Sequence, residues 1–320
     1  MQTNCIYIYE EVINLLKKFI LSIVVLSMLL TLSSCGTNST ANNSTADTTS
    51  KKLKVVVSFN AMREFVSAIG KDKVDITTMI PNGTEPHEFD PKIKDFQTLT
   101  TAKVFVYSGL GMEKWADKAV ESAENKNLIV VEASKGADAI KNSNPDEIKE
   151  HGEYDPHIWI SPKGAELESN NIKEALIKAD PSNKNFYEKN YADFKNQLDS
   201  LYSDYKSKLE NIPNKNFVTG HAAFAYLCRD FNLKQNSVED VFAEGDPSTQ
   251  KLQDLVKYCK DNNIKTIFVE DMASPKVSNT LAKEVGAKTQ KIYTLESKED
   301  GLDYIQSMKT NLDEIYNSLK

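Results

Sequence analysis

The sequence is poor in the residues that most often announce a chemistry. Of its 320 residues only four are histidine and four are cysteine. Cys5 and Cys35 lie near the N-terminus, so the body of the chain holds only Cys228 and Cys259. Both stand at apolar positions of predicted helices. Buried free thiols are the plain reading and a disulfide the alternative, since sequence cannot place two sulfurs within bonding distance. Basic charge is in deficit, with 39 Lys and Arg against 46 Asp and Glu and a net charge of -7, which argues against nucleic acid as a partner. Enzyme signatures are missing too. No serine stands in a Gly-x-Ser-x-Gly elbow, and Pro91 occupies the place where His87-Glu88 would need a second histidine to form His-Glu-x-x-His. Gly109-Leu110-Gly111 lacks the third glycine and the Lys-Ser/Thr pair of a phosphate loop.

The N-terminal apolar run, residues 19–32, falls short of the roughly 20 residues that span a bilayer. Lys17 and Lys18 precede it and the small residues Ser33 and Ser34 follow, the order of a secretory signal. Glu10 and Glu11 sit where such a signal prefers bases, so a start at Val12 or Leu15 would fit better. Leu32-Ser33-Ser34-Cys35-Gly36 resembles a bacterial lipobox, which implies that Cys35 is acylated as the first mature residue and anchors the chain to a membrane. Residues 36–50 are mostly Thr, Asn, Ser and Ala with little to bury and read as an unfolded tether. Residues 1–34 are therefore predicted to be a signal and 35–50 a lipidated tether.

Beyond the tether, short β-rich runs alternate with helical ones. Residues 55–58, 74–79, 104–107 and 128–131 read as strands, and 62–69, 96–100 and 113–123 as helices. The rhythm returns with strands at 217–219, 266–269 and 291–295 and helices at 222–231, 249–262 and 276–285. Alternation of this kind makes parallel sheets covered by helices. Between the two stretches Tyr187, Tyr191, Phe194, Leu198, Leu201, Tyr205 and Leu209 recur at spacings of three and four, which predicts one long amphipathic helix ended by Pro213. A strut between lobes is preferred to a coiled-coil dimer, because the repeat is short. The predicted fold class is α/β: two doubly wound lobes, 51–180 and 213–320, joined by a backbone helix at 181–212, in a monomer.

Three of the histidines occupy loops or element boundaries: Glu85-Pro86-His87, Asp155-Pro156-His157 and Gly220-His221-Ala222. In open α/β sheets ligands bind beyond the carboxyl ends of the strands. Imidazole nitrogen suits zinc and its neighbours, whereas calcium and magnesium demand oxygen, so three histidines gathered there would hold a transition metal. A carboxylate or water would complete the set, and two acids follow predicted strands: Glu270 and Glu296. His151 lies in an acidic stretch, 142–155, that reads as a solvated loop.

These stretches, with Gly83-Thr84-Glu85-Pro86-His87, Gly109-Leu110-Gly111-Met112-Glu113-Lys114-Trp115, Asp155-Pro156-His157-Ile158-Trp159-Ile160-Ser161-Pro162 and Gly220-His221-Ala222-Ala223-Phe224-Ala225-Tyr226, resemble the zinc- and manganese-binding solute-binding proteins of bacterial ABC importers. The resemblance runs through nearly the whole mature chain, long helix included. It implies a metal held between two lobes by His87, His157 and His221, with Glu296 preferred to Glu270 as fourth ligand. Zinc is implied over manganese, because manganese members place Glu where this chain has His221. It further implies an importer permease as partner and an anchored receptor on the outer face of the cell membrane, in keeping with the Lys- and Asn-rich composition of a Gram-positive bacterium. One histidine in the acidic stretch departs from the histidine-rich loop of many zinc members. The alternatives are a manganese receptor that also acts as a cell-adhesion protein and a secreted zinc hydrolase using Glu270 or Glu296 as base.

Overall fold

Two stretches of the chain repeat one local plan, in which a strand of four or five residues feeds a loop and then an amphipathic helix. The computed structural model describes residues 52–320 except 143–144, 146–147, 150–151, 244–246 and 272–274. The predicted signal, Cys35, the tether and His151 lie outside the described residues. No helix among the described residues is long and apolar enough to cross a membrane.

The first sheet contains β1 (Leu53–Val57), β2 (Val74–Thr78), β3 (Val104–Tyr107) and β4 (Ile129–Glu132), all parallel in the order β2-β1-β3-β4. The second repeats the pattern with β5 (Asn216–Thr219), β6 (Lys234–Ser237), β7 (Thr266–Val269) and β8 (Lys288–Lys291), parallel in the order β6-β5-β7-β8. In each sheet the first strand lies between the second and third, so the winding direction reverses beside it. A crevice opens at such a switch point.

The central strands are continuous apolar runs because both faces are covered: Val55, Val56 and Val57 of β1 and Val104, Phe105 and Val106 of β3 are buried. The edge strands of the second sheet are not apolar. β6 reads Lys-Gln-Asn-Ser and β8 Lys-Thr-Gln-Lys. That polarity hid β6 from the sequence reading, and it corrects the predicted strand at 291–295. Strand pairing ends at Lys291, Ile292 N–H makes one further bond to Val269 O at 3.0 Å, and Leu295 takes a left-handed φ of 64° that no strand accommodates. Ile292 and Leu295 are apolar because they enter the core, not because they continue the sheet.

Helices α1 (Asn60–Gly70), α2 (Ala116–Ala123), α3 (Pro162–Ala179) and α4 (Lys184–Glu210) follow in the first half. The predicted helix at 96–100 is a single turn, Ile93–Phe96, running into the 3₁₀ turn Gln97–Thr100. The stretch predicted as one helix at 181–212 is the 3₁₀ turn Pro181–Asn183 followed by α4. At 27 residues α4 is ~40 Å long. Its stripe Tyr187, Phe194, Leu198, Leu201, Tyr205 and Leu209 is buried against α1, α3 and the later helices α5 (Ala225–Phe231) and α8 (Tyr304–Ser318). Asn190, on the same stripe, donates its Nδ2–H to Ile69 O at 2.9 Å, so the one polar residue there is satisfied. One hydrophobic core thus runs from the first sheet through α4 to Phe217 and Phe268 of the second and to Leu312 of α8. A smaller cluster, with Val218, Leu255, Cys259, Ile267 and Leu281, lies beneath α6 (Thr249–Asp261) and α7 (Pro275–Val285). Cys228 and Cys259 are buried free thiols, not a disulfide.

The loop after β3 explains why Gly109-Leu110-Gly111 imitates a phosphate loop without being one. All three residues have positive φ. The Glu113 carboxylate accepts the backbone N–H groups of Ser108 and Gly109 at 2.9 and 3.0 Å, standing where an anion would otherwise bind.

Candidate metal centre

Each predicted histidine is placed by a local device that its motif encodes. His87 sits in the turn after β2, where its N–H donates to Glu85 Oε1 at 3.2 Å and Phe89 N–H closes on Pro86 O at 3.3 Å. His157 enters the 3₁₀ turn Ile158–Ile160, and α3 begins immediately beyond with Ser161 as N-cap, accepting from Lys163 N–H, and Pro162 in the first turn. Thus Asp155-Pro156-His157 through Ser161-Pro162 is a tight turn with a helix start attached. His221 follows β5 at the switch point of the second sheet, its carbonyl accepting from Thr219 Oγ1 at 2.6 Å and Gln235 Nε2 at 2.9 Å.

The four side chains converge. His87 Nε2 lies 3.1 Å from His157 Nε2, which lies 3.3 Å from His221 Nε2. Glu296 Oε1 is 3.6 Å from the Nε2 of both His87 and His157. One ligand atom from each of the four residues falls within 4.8 Å of the other three. A tetrahedral zinc with bonds of about 2.0–2.1 Å requires ligand–ligand edges of roughly 3.3–3.4 Å, so the donors surround a space of the right size. Glu296 Oε2 accepts from Thr294 Oγ1 at 2.7 Å, while Oε1 is buried without a hydrogen-bond donor and points at the imidazoles.

Glu270 is not part of the group. It comes off β7 beside the switch point and accepts the His221 N–H on Oε1 at 3.4 Å. Its other oxygen lies over Gly220, where an added Cβ would stand 1.9 Å from it. Burial pushes the Glu270 carboxyl up to about 8. It supports the loop that carries His221.

The sequence reading missed Asp155 as a functional residue. Its Oδ1 accepts both the backbone N–H of His157 and the ring Nδ1–H, each at 2.9 Å. This fixes the tautomer and turns the Nε2 lone pair toward the centre, the usual carboxylate–histidine–metal arrangement. An acid two residues ahead of a candidate ligand, across a proline, was the available signal.

The imidazoles are electrostatically unequal. Burial alone would lower His157, but Asp155 and Glu296 beside it hold it at about 9. Burial drives His221 down to about 3, assisted by the other two imidazoles and opposed by Glu296. Burial would raise Glu296, yet the facing histidines keep it well below the carboxylate range. Glu85 is pushed up to about 8 by burial and by the charge of Glu296. The charge of Glu296 thus favours a positive partner among the imidazoles, a place that a metal ion held by His87, His157, His221 and Glu296 would fill.

The sequence pattern of a family described as "ZnuA: Zinc-uptake complex component A periplasmic" matches residues 55–318. The chain is 39% identical over 316 residues to the high-affinity zinc uptake system protein ZnuA of Bacillus subtilis (strain 168), covering 95% of this chain and 98% of that one. The crystal structure of the metal-dependent lipoprotein YcdH from Bacillus subtilis superposes with a TM-score of 0.73 at 39% identity, over 84% of this chain and 99% of the other. The laminin-binding protein Lmb of Streptococcus agalactiae, described as bifunctional with adhesin and metal-transporting activity, superposes with a TM-score of 0.78 at 32% identity, over 84% of this chain and 100% of the other.

Proposed function

The chain belongs to the family of zinc-uptake components just described, and from that premise we propose that it captures zinc through His87, His157, His221 and Glu296. It is a zinc-binding receptor for an ABC-type importer. The observation that carries the ligand assignment is the convergence of three Nε2 atoms and one bare carboxylate oxygen at tetrahedral spacing in a buried site.

Zinc is the cargo, and what the protein does to it is capture. Four protein donors complete the tetrahedron and leave no position for an activated water, which supports binding without hydrolysis. Three nitrogens favour zinc over manganese, which lies far lower in the stability order and suits oxygen ligands. The permease of the importer is the partner that receives the metal. The sequence Leu32-Ser33-Ser34-Cys35 supports acylation at Cys35, holding the receptor on the outer face of a Gram-positive cell membrane. The adhesin description attached to Lmb makes adhesion a second activity to test, not an alternative to metal capture.

Metal analysis of protein stripped with a chelator and reloaded tests the reading. One tightly bound zinc per chain is expected, with manganese several orders of magnitude weaker. A triple substitution of His87, His157 and His221 by Ala that still binds one zinc tightly would refute the ligand set. Cys35→Ala is expected to release the protein or leave it unprocessed, and unchanged retention with normal processing would refute the anchor.

A further inference from the structure

Hydrogen bonds, not chain order, decide which lobe holds each ligand, and for Glu296 the two disagree. Residues 294–298 extend from the second sheet, yet their backbone is fastened to the first lobe. Trp159 Nε1–H donates to Thr294 O at 2.7 Å. Asn60 Nδ2 donates to Leu295 O at 3.3 Å and to Ser297 O at 3.2 Å, while its backbone N–H donates to Glu296 O at 3.3 Å. Gly83 N–H donates to Ser297 Oγ at 2.9 Å, Lys298 N–H to Asn82 Oδ1 at 3.2 Å, and Lys298 Nζ pairs with Glu64 at 3.0 Å. Asn60 therefore brackets Glu296 on both sides from the first turn of α1 and is itself buried. The segment needs such a bracket, because Leu295 has a φ of 64°, a conformation a branched residue keeps only where its surroundings over-determine it.

His221 is held otherwise. Thr219, Gln235, Glu270 and Asp240, which bond the backbone of His221 and Ala222, all belong to the second lobe.

We propose that Asn60 is a positioning residue for Glu296, carrying this ligand on the first lobe so that the site divides into His87, His157 and Glu296 on one side and His221 on the other. The inference rests on the reading of these four residues as zinc ligands. It goes beyond that reading by giving a metal-binding role to a residue that touches no metal.

The experiment is a double-variant comparison on the full mature protein. Zinc affinity is measured by chelator competition in Asn60→Ala, Glu296→Gln and the double variant, with the visible absorption of bound cobalt as a second readout. Asn60→Ala is expected to weaken zinc ~10–100-fold, the range for residues that orient ligands. In the Glu296→Gln background the same change is expected to add no more than about twofold, because its effect passes through Glu296. The cobalt spectrum of Asn60→Ala should move toward that of Glu296→Gln. Ser297→Ala, which deletes one oxygen and one cross-lobe bond, should act in the same direction with the same dependence on Glu296. Losses that simply add in the double variants, or Asn60→Ala and Ser297→Ala proteins that bind zinc as the unaltered protein does, would overturn the proposal while leaving the ligand set intact. A Glu296→Gln protein with undiminished affinity would overturn the ligand assignment itself, and the clamp with it.

Discussion

His157 and His221 carry the same side chain, 3.3 Å apart at Nε2, and are prepared in opposite ways. His157 is held at about 9 and must lose a proton to bind zinc near neutrality, whereas His221, at about 3, has its lone pair free. Three imidazoles at a reference value of about 6.5 would each cost roughly 1.5 log units of affinity at pH 5, up to ~4.5 together. The structure redistributes that cost. On these values His157 contributes a loss of about 2 log units between pH 7 and pH 5, and His221 contributes none. Zinc titrations across this range should therefore show His221→Ala lowering affinity with its pH dependence kept, and His157→Ala lowering affinity with the dependence made shallower. An equally shallow dependence in both variants would contradict the inequality. The same two groups act oppositely on the metal-free fold. The stabilising contribution of His157 is present below about pH 6.5 and is lost as pH rises through about 9, while that of His221 is present above about 6.5 and is lost as pH falls toward about 3.

At the scale of elements, the ligands owe their positions to close backbone approaches. Helix α3 comes so near the 3₁₀ turn carrying His157 that a Cβ at Gly164 would lie 1.9 Å from Ile158 O, a backbone atom with no rotamer to escape into. Gly164→Ala should then destabilise the metal-free protein by ~1–3 kcal/mol, as overpacking does, and weaken zinc binding by shifting the turn. Urea unfolding with a parallel zinc titration checks this. Elsewhere in an exposed helix the same change would stabilise by roughly 0.5–1 kcal/mol, so a gain in stability would show that the approach is not so close in solution. Helix α4 works differently, through a continuous apolar stripe that joins the two sheets in one core.

At the scale of the whole molecule, a site assembled from both lobes couples binding to global stability. His87 and His157 come from the first lobe and His221 from the second, while Glu296 follows the second sheet in the chain but is fastened to the first lobe, and unfolding scatters all four. Free zinc at 100 times its Kd should add ~2.7 kcal/mol of stability at pH 7. If acid weakens binding 100-fold, the same zinc concentration adds only ~0.4 kcal/mol at pH 5. Thermal scans with and without zinc at the two pH values should show a large rise in Tm at pH 7 and a small one at pH 5. Equal rises would mean that no protonated histidine competes with the metal.

Much of this protein is determined by sequence alone, because strand runs, helical periodicity and turn chemistry are local. The paired α/β lobes, the long helix and the three histidines at element boundaries follow from such patterns. Polar edge strands such as β6 carry no hydrophobic signal and stayed hidden until their pairing with a central strand defined them. The choice between Glu270 and Glu296 was likewise beyond a geometric reading of the sequence, since both acids follow β-rich runs. Only the tertiary structure aims Glu296 Oε1 at the imidazoles and turns Glu270 under Gly220. The inequality of His157 and His221 is also tertiary, because it depends on which charges burial brings within a few ångströms, and distance through space is what the order of residues does not record.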